Sequence, residues 1–115
     1  MAFNEFELKK HQQLLDNYIE NIRPSENIRK ELDISYRIIN QSVEIYGIRP
    51  QYDNPKQINN IEIAKTTYVR TQDVWKIYWM RSDLKWHGYE PNPEVETLSY
   101  FLDIIQEDSY GCFWG

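Results

Sequence analysis

The chain has 115 residues, 41% hydrophobic and 15% aromatic, with a formal net charge of −5. That is enough to bury one core without staples, and no stretch approaches the roughly 18 consecutive apolar residues of a membrane span. The first residues lack the basic-then-apolar layout of a secretory leader and Cys112 is the only cysteine, so the composition excludes a disulfide scaffold and predicts a single cytoplasmic domain over residues 1–115, without a membrane partner.

The first predicted element is an amphipathic helix over about 4–21. Leu8, His11, Leu15, Tyr18 and Ile22 recur at spacings of three and four and so share one stripe. Asn4 suits the N-cap, Glu5 and Glu7 suit the positive first turn, and Arg23-Pro24 ends the run. His11 lies on the stripe with no second histidine near it, so it reads as a partly buried edge residue rather than a metal ligand.

Two hairpins follow, over about 32–49 and 61–90. With Asn40-Gln41 as the first turn, Ile38 faces Val43, Tyr36 faces Ile45 and Arg37 faces Glu44. The segment from Pro50 to Asn60, rich in Pro and Asn, reads as an irregular loop. With Thr71-Gln72 as the second turn, Tyr68 faces Trp75, Thr66 faces Ile77 and Ala64 faces Trp79. Arg70 with Asp73 and Glu62 with Arg81 are then expected charge pairs. A further two-residue turn at Asp83-Leu84 sets Gly88 against Trp79 and Trp86 against Arg81.

This register divides the densest part of the chain. Residues 75–89 hold three of the four tryptophans together with Lys76, Arg81, Lys85 and His87. Trp75, Trp79 and Trp86 are expected in the core, and Lys65, Lys76, Tyr78, His87 and Tyr89 on a more polar side. The last helix is expected over about 93–108, with Asn92 as N-cap, Pro93 at the first helical position and a stripe of Val95, Leu98, Leu102 and Ile105. The apolar tail Cys112-Phe113-Trp114-Gly115 is expected to dock on its own domain. The fold class is therefore α+β: a mostly antiparallel sheet of about five strands with an N-terminal and a C-terminal helix.

Charge is unevenly spread. Glu90, Glu94, Glu96, Asp103, Glu107 and Asp108 lie in a segment with no Lys or Arg, which leaves 13 bases against 12 acids over residues 1–89. The acidity belongs to one C-terminal element, so it weakens the usual argument against an anionic partner without reversing it.

Several pieces of the chain together resemble a family of short bacterial proteins, domain of unknown function 3024. They are Arg23-Pro24, Arg49-Pro50, Ala64-Lys65-Thr66, Tyr78-Trp79-Met80-Arg81, Lys85-Trp86-His87, Glu90-Pro91 and Asp108 with Cys112-Phe113-Trp114-Gly115. The resemblance implies a bacterial origin and one small domain; it carries no activity onto any residue.

Chemistry has few candidates. Four scattered glycines make no phosphate-cradling loop, and His11, His87 and Cys112 lack chelating spacing, so no cofactor and no metal is expected. Cys112 reads as a small buried thiol beside Phe113 rather than a nucleophile for His87 to activate. The one constellation with binding chemistry is Lys65, Lys76, Tyr78, Arg81, His87 and Tyr89: cations, an imidazole and rings suited to nucleic acid or another anionic ligand. A sheet face dressed with Lys, Thr and Tyr for solubility is the plainer reading of the same residues and carries more weight. Among functions, a binding module ranks first. A protein–protein interaction subunit or homodimer, joined through a sheet edge or the Phe113-Trp114 tail, ranks second. Third comes a metal-independent ribonuclease-like enzyme using His87 or Lys65 with Arg81; no catalytic residue is assigned.

Overall fold

A computed structural model describes residues 2–115. In chain order the elements are α1 (Glu5–Ile22), β1 (Asp33–Ile39), β2 (Ser42–Gln51), β3 (Asn54–Val69), β4 (Val74–Met80), β5 (Trp86–Gly88), β6 (Glu94–Val95) and α2 (Leu98–Glu107). The strands form one antiparallel sheet in the order β1-β2-β3-β4-β5, and β6 pairs with β4 beyond the end of β5. The fold is α+β, with both helices on one face of this sheet.

Local chemistry explains α1. The Asn4 side chain accepts from the Glu7 amide at 2.8 Å while Glu7 accepts from the Asn4 amide at 3.1 Å, a closed capping box. Loss of such a cap costs about 1 kcal/mol. At the other end Arg23 takes an extended conformation ahead of Pro24, and its guanidinium grips Asp33 of β1 through two bonds. Tyr36 donates to Asp16 and Tyr18 to Gln106, tying α1 to the sheet and to α2.

The core lies between helices and sheet. Leu15 and Ile19 from α1 and Leu98, Phe101, Leu102 and Ile105 from α2 pack on Val43, Ile45, Ala64, Trp75 and Ile77. Removing each large side chain from water contributes roughly 1.5–3 kcal/mol. His11 is half-buried, edge-on to Trp75 at 5.1 Å and to Phe3 at 4.7 Å, and its burial lowers the imidazole pKa.

Both expected hairpin ladders are present: Ile38 faces Val43 and Arg37 faces Glu44, and Ala64 faces Trp79 and Tyr68 faces Trp75. The segment expected to be an irregular loop is not one. β2 and β3 pair along most of it, with Arg49 opposite Asn59 and Pro50 opposite Ile58, and a register shift near the tip leaves Pro55, Lys56 and Gln57 unmatched before Gln51 meets Asn54. Each strand reaches past the core, where its polar residues meet water rather than a second layer. Between the two parts Ile63 is an extra residue, since Ile45 faces Ala64 but Tyr46 faces Glu62. This bulge turns Ile63 toward the core cluster.

Three further expectations are corrected. The charge pairs bracketing the second hairpin do not form: Arg70 reaches back to Glu7 of α1, and Glu62 bonds Arg37. The last helix starts at Leu98, capped by Thr97, because Glu94 and Val95 are drawn into the sheet against Lys76 and Trp75. Finally, the turn after β4 holds three residues, Ser82 to Leu84, instead of two. The Arg81 amide bonds the Lys85 carbonyl, Leu84 sits at φ 62°, and the Asp83 carboxylate accepts from the Lys85 amide. One extra turn residue shifts β5 by one, so Gly88 faces Tyr78, His87 faces Trp79 and Trp86 faces Met80. Since strand side chains alternate, that shift exchanges the faces of Trp86 and of His87 with Tyr89.

Among the described residues no helix is long and apolar enough to cross a membrane. The tail docks on its own domain. Asp108, left-handed at the end of α2, accepts from the Phe113 and Trp114 amides, and the Trp114 indole donates to the Ile105 carbonyl.

Candidate functional site

The shift of β5 separates the six residues that the sequence groups together. Lys65, Lys76 and Tyr78 lie on the sheet face that carries no helix, joined there by Trp86. Arg81, His87 and Tyr89 lie toward the helix side. The structure makes two regions of one expected site.

On the open face the charges answer one another. Arg37 bonds both Glu44 and Glu62, and its guanidinium lies 4.6 Å from the Tyr46 ring centre. Lys65 stands opposite Glu44, its ammonium 5.8 Å from the Tyr78 ring and 5.9 Å from that of Trp86. Lys76 faces Glu94 across the β4–β6 ladder. Burial, with the neighbouring Glu44 charge, raises the Glu62 carboxyl pKa against the pull of Arg37. Arg37 is thus neutralised by two acids, whereas Lys65 and Lys76 stand opposite Glu44 and Glu94 in the ladders without an ion pair to either.

The other region is a cleft of about 570 Å³ where β4, β5, the strand-to-helix connection and the tail meet. Trp79 and Arg81 contribute from β4 and the turn after it, His87 from β5, Pro91 and Pro93 from the following loop, and Cys112 from the tail. Arg81 is the cation of this lining. Its guanidinium lies 5.4 Å from the Trp79 ring centre, a stacking geometry, and it forms no ion pair with any acid among the described residues. Two features leave it free: Glu62, its expected partner, is held by Arg37, and Trp86, its expected stacking surface, is on the opposite face.

His87 is oriented by Asp83, whose carboxylate lies 2.8 Å from Nε2; this contact lowers the Asp83 pKa. Tyr89 reaches the cleft only as its floor. It is 2% exposed, stacks on Phe113 at 5.0 Å and belongs to the core, where burial raises its phenol pKa. Cys112 is partly buried, and burial together with Asp108 raises its thiol pKa, which disfavours the nucleophilic thiolate. Among the described residues no group of three or more His, Cys, Asp or Glu is placed to hold a metal ion.

A larger groove of about 770 Å³ runs between α1, the β3–β4 turn and the start of α2. Two of its charged groups are already engaged, Glu7 with Arg70 and Asp73 with the Tyr68 hydroxyl. Its volume exceeds that of the cleft, and Lys10 and Glu96 on its lining carry opposite charges.

Sequence reasoning placed Arg81 and His87 among the candidates and weighed Cys112 beside His87, but missed Trp79 and Pro93 as their neighbours. A signal for most of the set was present. Trp79, Arg81, His87, Glu90, Pro91 and Cys112 come from four of the short pieces that carry the family resemblance, and all line this one cleft. Comparison with known families agrees: the model described as Domain of unknown function (DUF3024) matches residues 3–115, and the chain belongs to that family. No match was found among curated proteins or among solved structures.

Proposed function

We propose that the chain is a single-domain binding module for a small anionic ligand with a flat or apolar body, taken up in the cleft between Trp79, Arg81 and His87. The observation that carries this reading is the Arg81 guanidinium, stacked on an indole beside a cavity and paired with no acid. An arginine in that state offers a planar fork of donors to a carboxylate or phosphate, and such charge-assisted bonds are the strong ones. The cleft volume falls within the roughly 300–1,000 Å³ of small-molecule sites. Trp79, Pro91 and Pro93 supply apolar wall for the body of the ligand, and His87 a second polar contact for its head. The lone cysteine favours a reducing cytoplasm as the setting.

Nucleic acid is the less supported anion. On the open face Arg37, Lys65 and Lys76 stand against Glu44, Glu62 and Glu94, so the face presents no net positive field to a phosphate backbone. A thiol-based catalyst is less supported still, for the reason that holds Cys112 protonated.

Native mass spectrometry of freshly purified protein is the first test, because a retained ligand appears directly as added mass. Calorimetric titration with benzoate, adenosine monophosphate and inorganic phosphate then separates the roles of the planar body and the anionic head. Binding of at least one probe, weakened tenfold or more in Arg81→Gln, supports the reading. No added mass and no heat with any probe at about millimolar concentration, where even a 4 kcal/mol interaction registers, refutes it.

A further inference from the structure

The groove of about 770 Å³ between α1, the β3–β4 turn and the start of α2 shares no lining residue with the cleft. Each of its walls has a local cause. On α1, Phe6, Lys10, Leu14 and Asn17 recur at spacings of three and four beside the buried stripe, so they share one side of the helix. On the other wall, β6 draws Glu94 and Val95 into the sheet, which delays α2 and leaves Glu96 at the groove as a link residue. Leu14, Trp75 and Leu98 make the apolar floor. Four carboxylate or ammonium groups line it: Glu7, Lys10, Asp73 and Glu96. Glu7 accepts from Arg70, and Asp73 from the Tyr68 hydroxyl at 2.7 Å. Lys10 and Glu96 form no side-chain hydrogen bond and no ion pair among the described residues, with each other or with any other group. Two opposite charges thus stand apart on one cavity. His11, on the same lining, is held edge-on by Phe3 and Trp75, and its ring nitrogens bond nothing among the described residues. Burial lowers its pKa and keeps it neutral, one donor and one acceptor.

We infer that this groove is a second binding site, for a small zwitterion: an ammonium and a carboxylate on an apolar body, the chemistry of a free amino acid or a short peptide. The ligand carboxylate meets Lys10 and its ammonium meets Glu96, while the apolar body lies on Leu14, Trp75 and Leu98. The pairing of Trp75 with Val95 brings the turn that carries Asp73 to the same end as Glu96, so that end is the negative one. Charge complementarity selects the ligand. A simple anion answers Lys10 but meets the acids, and a simple cation answers the acids but meets Lys10. A molecule with both charges satisfies both walls and gains apolar contact with the floor between them. The volume falls within the roughly 300–1,000 Å³ of small-molecule sites. Along α1 the stretch from Phe6 to Asn17 spans about 16 Å, which admits up to about four or five extended residues. The site stands independently of any ligand in the cleft.

Amide NMR titration of the unaltered protein with L-leucine, L-phenylalanine and leucyl-leucine tests this residue by residue. At least one of the three should shift resonances within residues 6–17 and 96–99 saturably, with a Kd below about 5 mM. The tighter of L-leucine and leucyl-leucine assigns the ligand to free amino acids or to peptides. The amide of the tightest probe lacks the carboxylate and its N-acetyl derivative lacks the ammonium; each should bind about fivefold more weakly or worse. Lys10→Gln should weaken the zwitterion by a similar factor and leave the amide unchanged. Glu96→Gln should weaken the zwitterion and leave the N-acetyl derivative unchanged. Both side chains are exposed, so neither substitution should move the melting temperature. Three results each overturn the inference: no saturable shift at these residues with a Kd below about 5 mM for any of the three probes, an amide or N-acetyl derivative that binds as tightly as its zwitterion, or zwitterion affinity unchanged in either variant.

Discussion

Two groups of cations and aromatic rings lie on opposite faces of β4 and β5, made of nearly the same residue types. On the open face Arg37 bonds both Glu44 and Glu62 and lies over Tyr46, while Lys65 stands opposite Glu44 and over two rings. In the cleft Arg81 has a ring and no ion pair, with Glu90 on the same lining and Asp83 acting on it only at longer range. The types of residue present do not distinguish a site from a solvated surface. What distinguishes them is which charges the fold has already neutralised, because a paired cation must give up its partner before it can bind anything else.

That contrast can be tested from either side. The largest effect belongs to Tyr89, which by sequence alone sits with the site and in the structure sits in the core. Tyr89→Ala should cost about 3–5 kcal/mol of stability, as large buried aromatics do, measured by urea denaturation. A loss below about 1 kcal/mol would return Tyr89 to the surface.

Next is Arg81→Gln. It should weaken the cleft's ligand or probe by about 10–100-fold, the worth of a hydrogen bond to a charged group, while moving stability by less than about 0.5 kcal/mol. Calorimetry and a melting curve on the same sample check both halves. If stability falls and binding does not, the assignments of the two faces are reversed.

Arg37→Ala breaks the open network instead. It leaves Glu44 and Glu62 facing each other half-buried, at a cost of about 1–2 kcal/mol after allowance for the solvent that reaches Arg37. Its pH signature has a definite sign. The Glu62 pKa in the folded chain is already above the usual carboxylate value, so the folded state holds that proton more tightly than the unfolded one. Stability therefore improves as pH falls from neutrality through the folded Glu62 value, and the gain ends below the ordinary carboxylate range. Removing Arg37 should enlarge this gain. Denaturation midpoints of both proteins between pH 7 and pH 4, the span set by ordinary carboxylate values, decide it.

The smallest effect is Lys65→Gln, which removes the half-buried ammonium's contacts with the Tyr78 and Trp86 rings, worth together about 0.5–1 kcal/mol. Ligand binding in the cleft should not change. A loss of binding equal to that of Arg81→Gln would merge the two regions back into one site.

Much of the fold was legible in local patterns. The N-cap at Asn4, the stripe of α1, and the ladders that set Arg37 against Glu44 and Ala64 against Trp79 follow from side-chain period and turn residues. The β2–β3 ribbon was not legible, since Pro50, Pro55 and three asparagines between 50 and 60 resemble a loop in composition. Two strands can pair with such residues where neither face needs burying. The start of α2 was not legible either: Asn92-Pro93 carries valid capping chemistry, and the sheet overrode it by pairing Glu94 and Val95.

By itself, then, the sequence determined an α+β domain, its two main hairpins, its family and the presence of Arg81 and His87 among the candidates. Tertiary structure decided which face each residue occupies. One extra residue in the turn at Ser82–Leu84 carried Trp86 out of the core and Tyr89 into it. Only the packed fold sent Glu62 to Arg37 rather than to Arg81. Strand alternation has a period of two, so an error of one position in a turn reverses every assignment after it. Local sequence does not resolve that single residue, because two- and three-residue turns draw on the same polar residues and are chosen by what the following strand must bury.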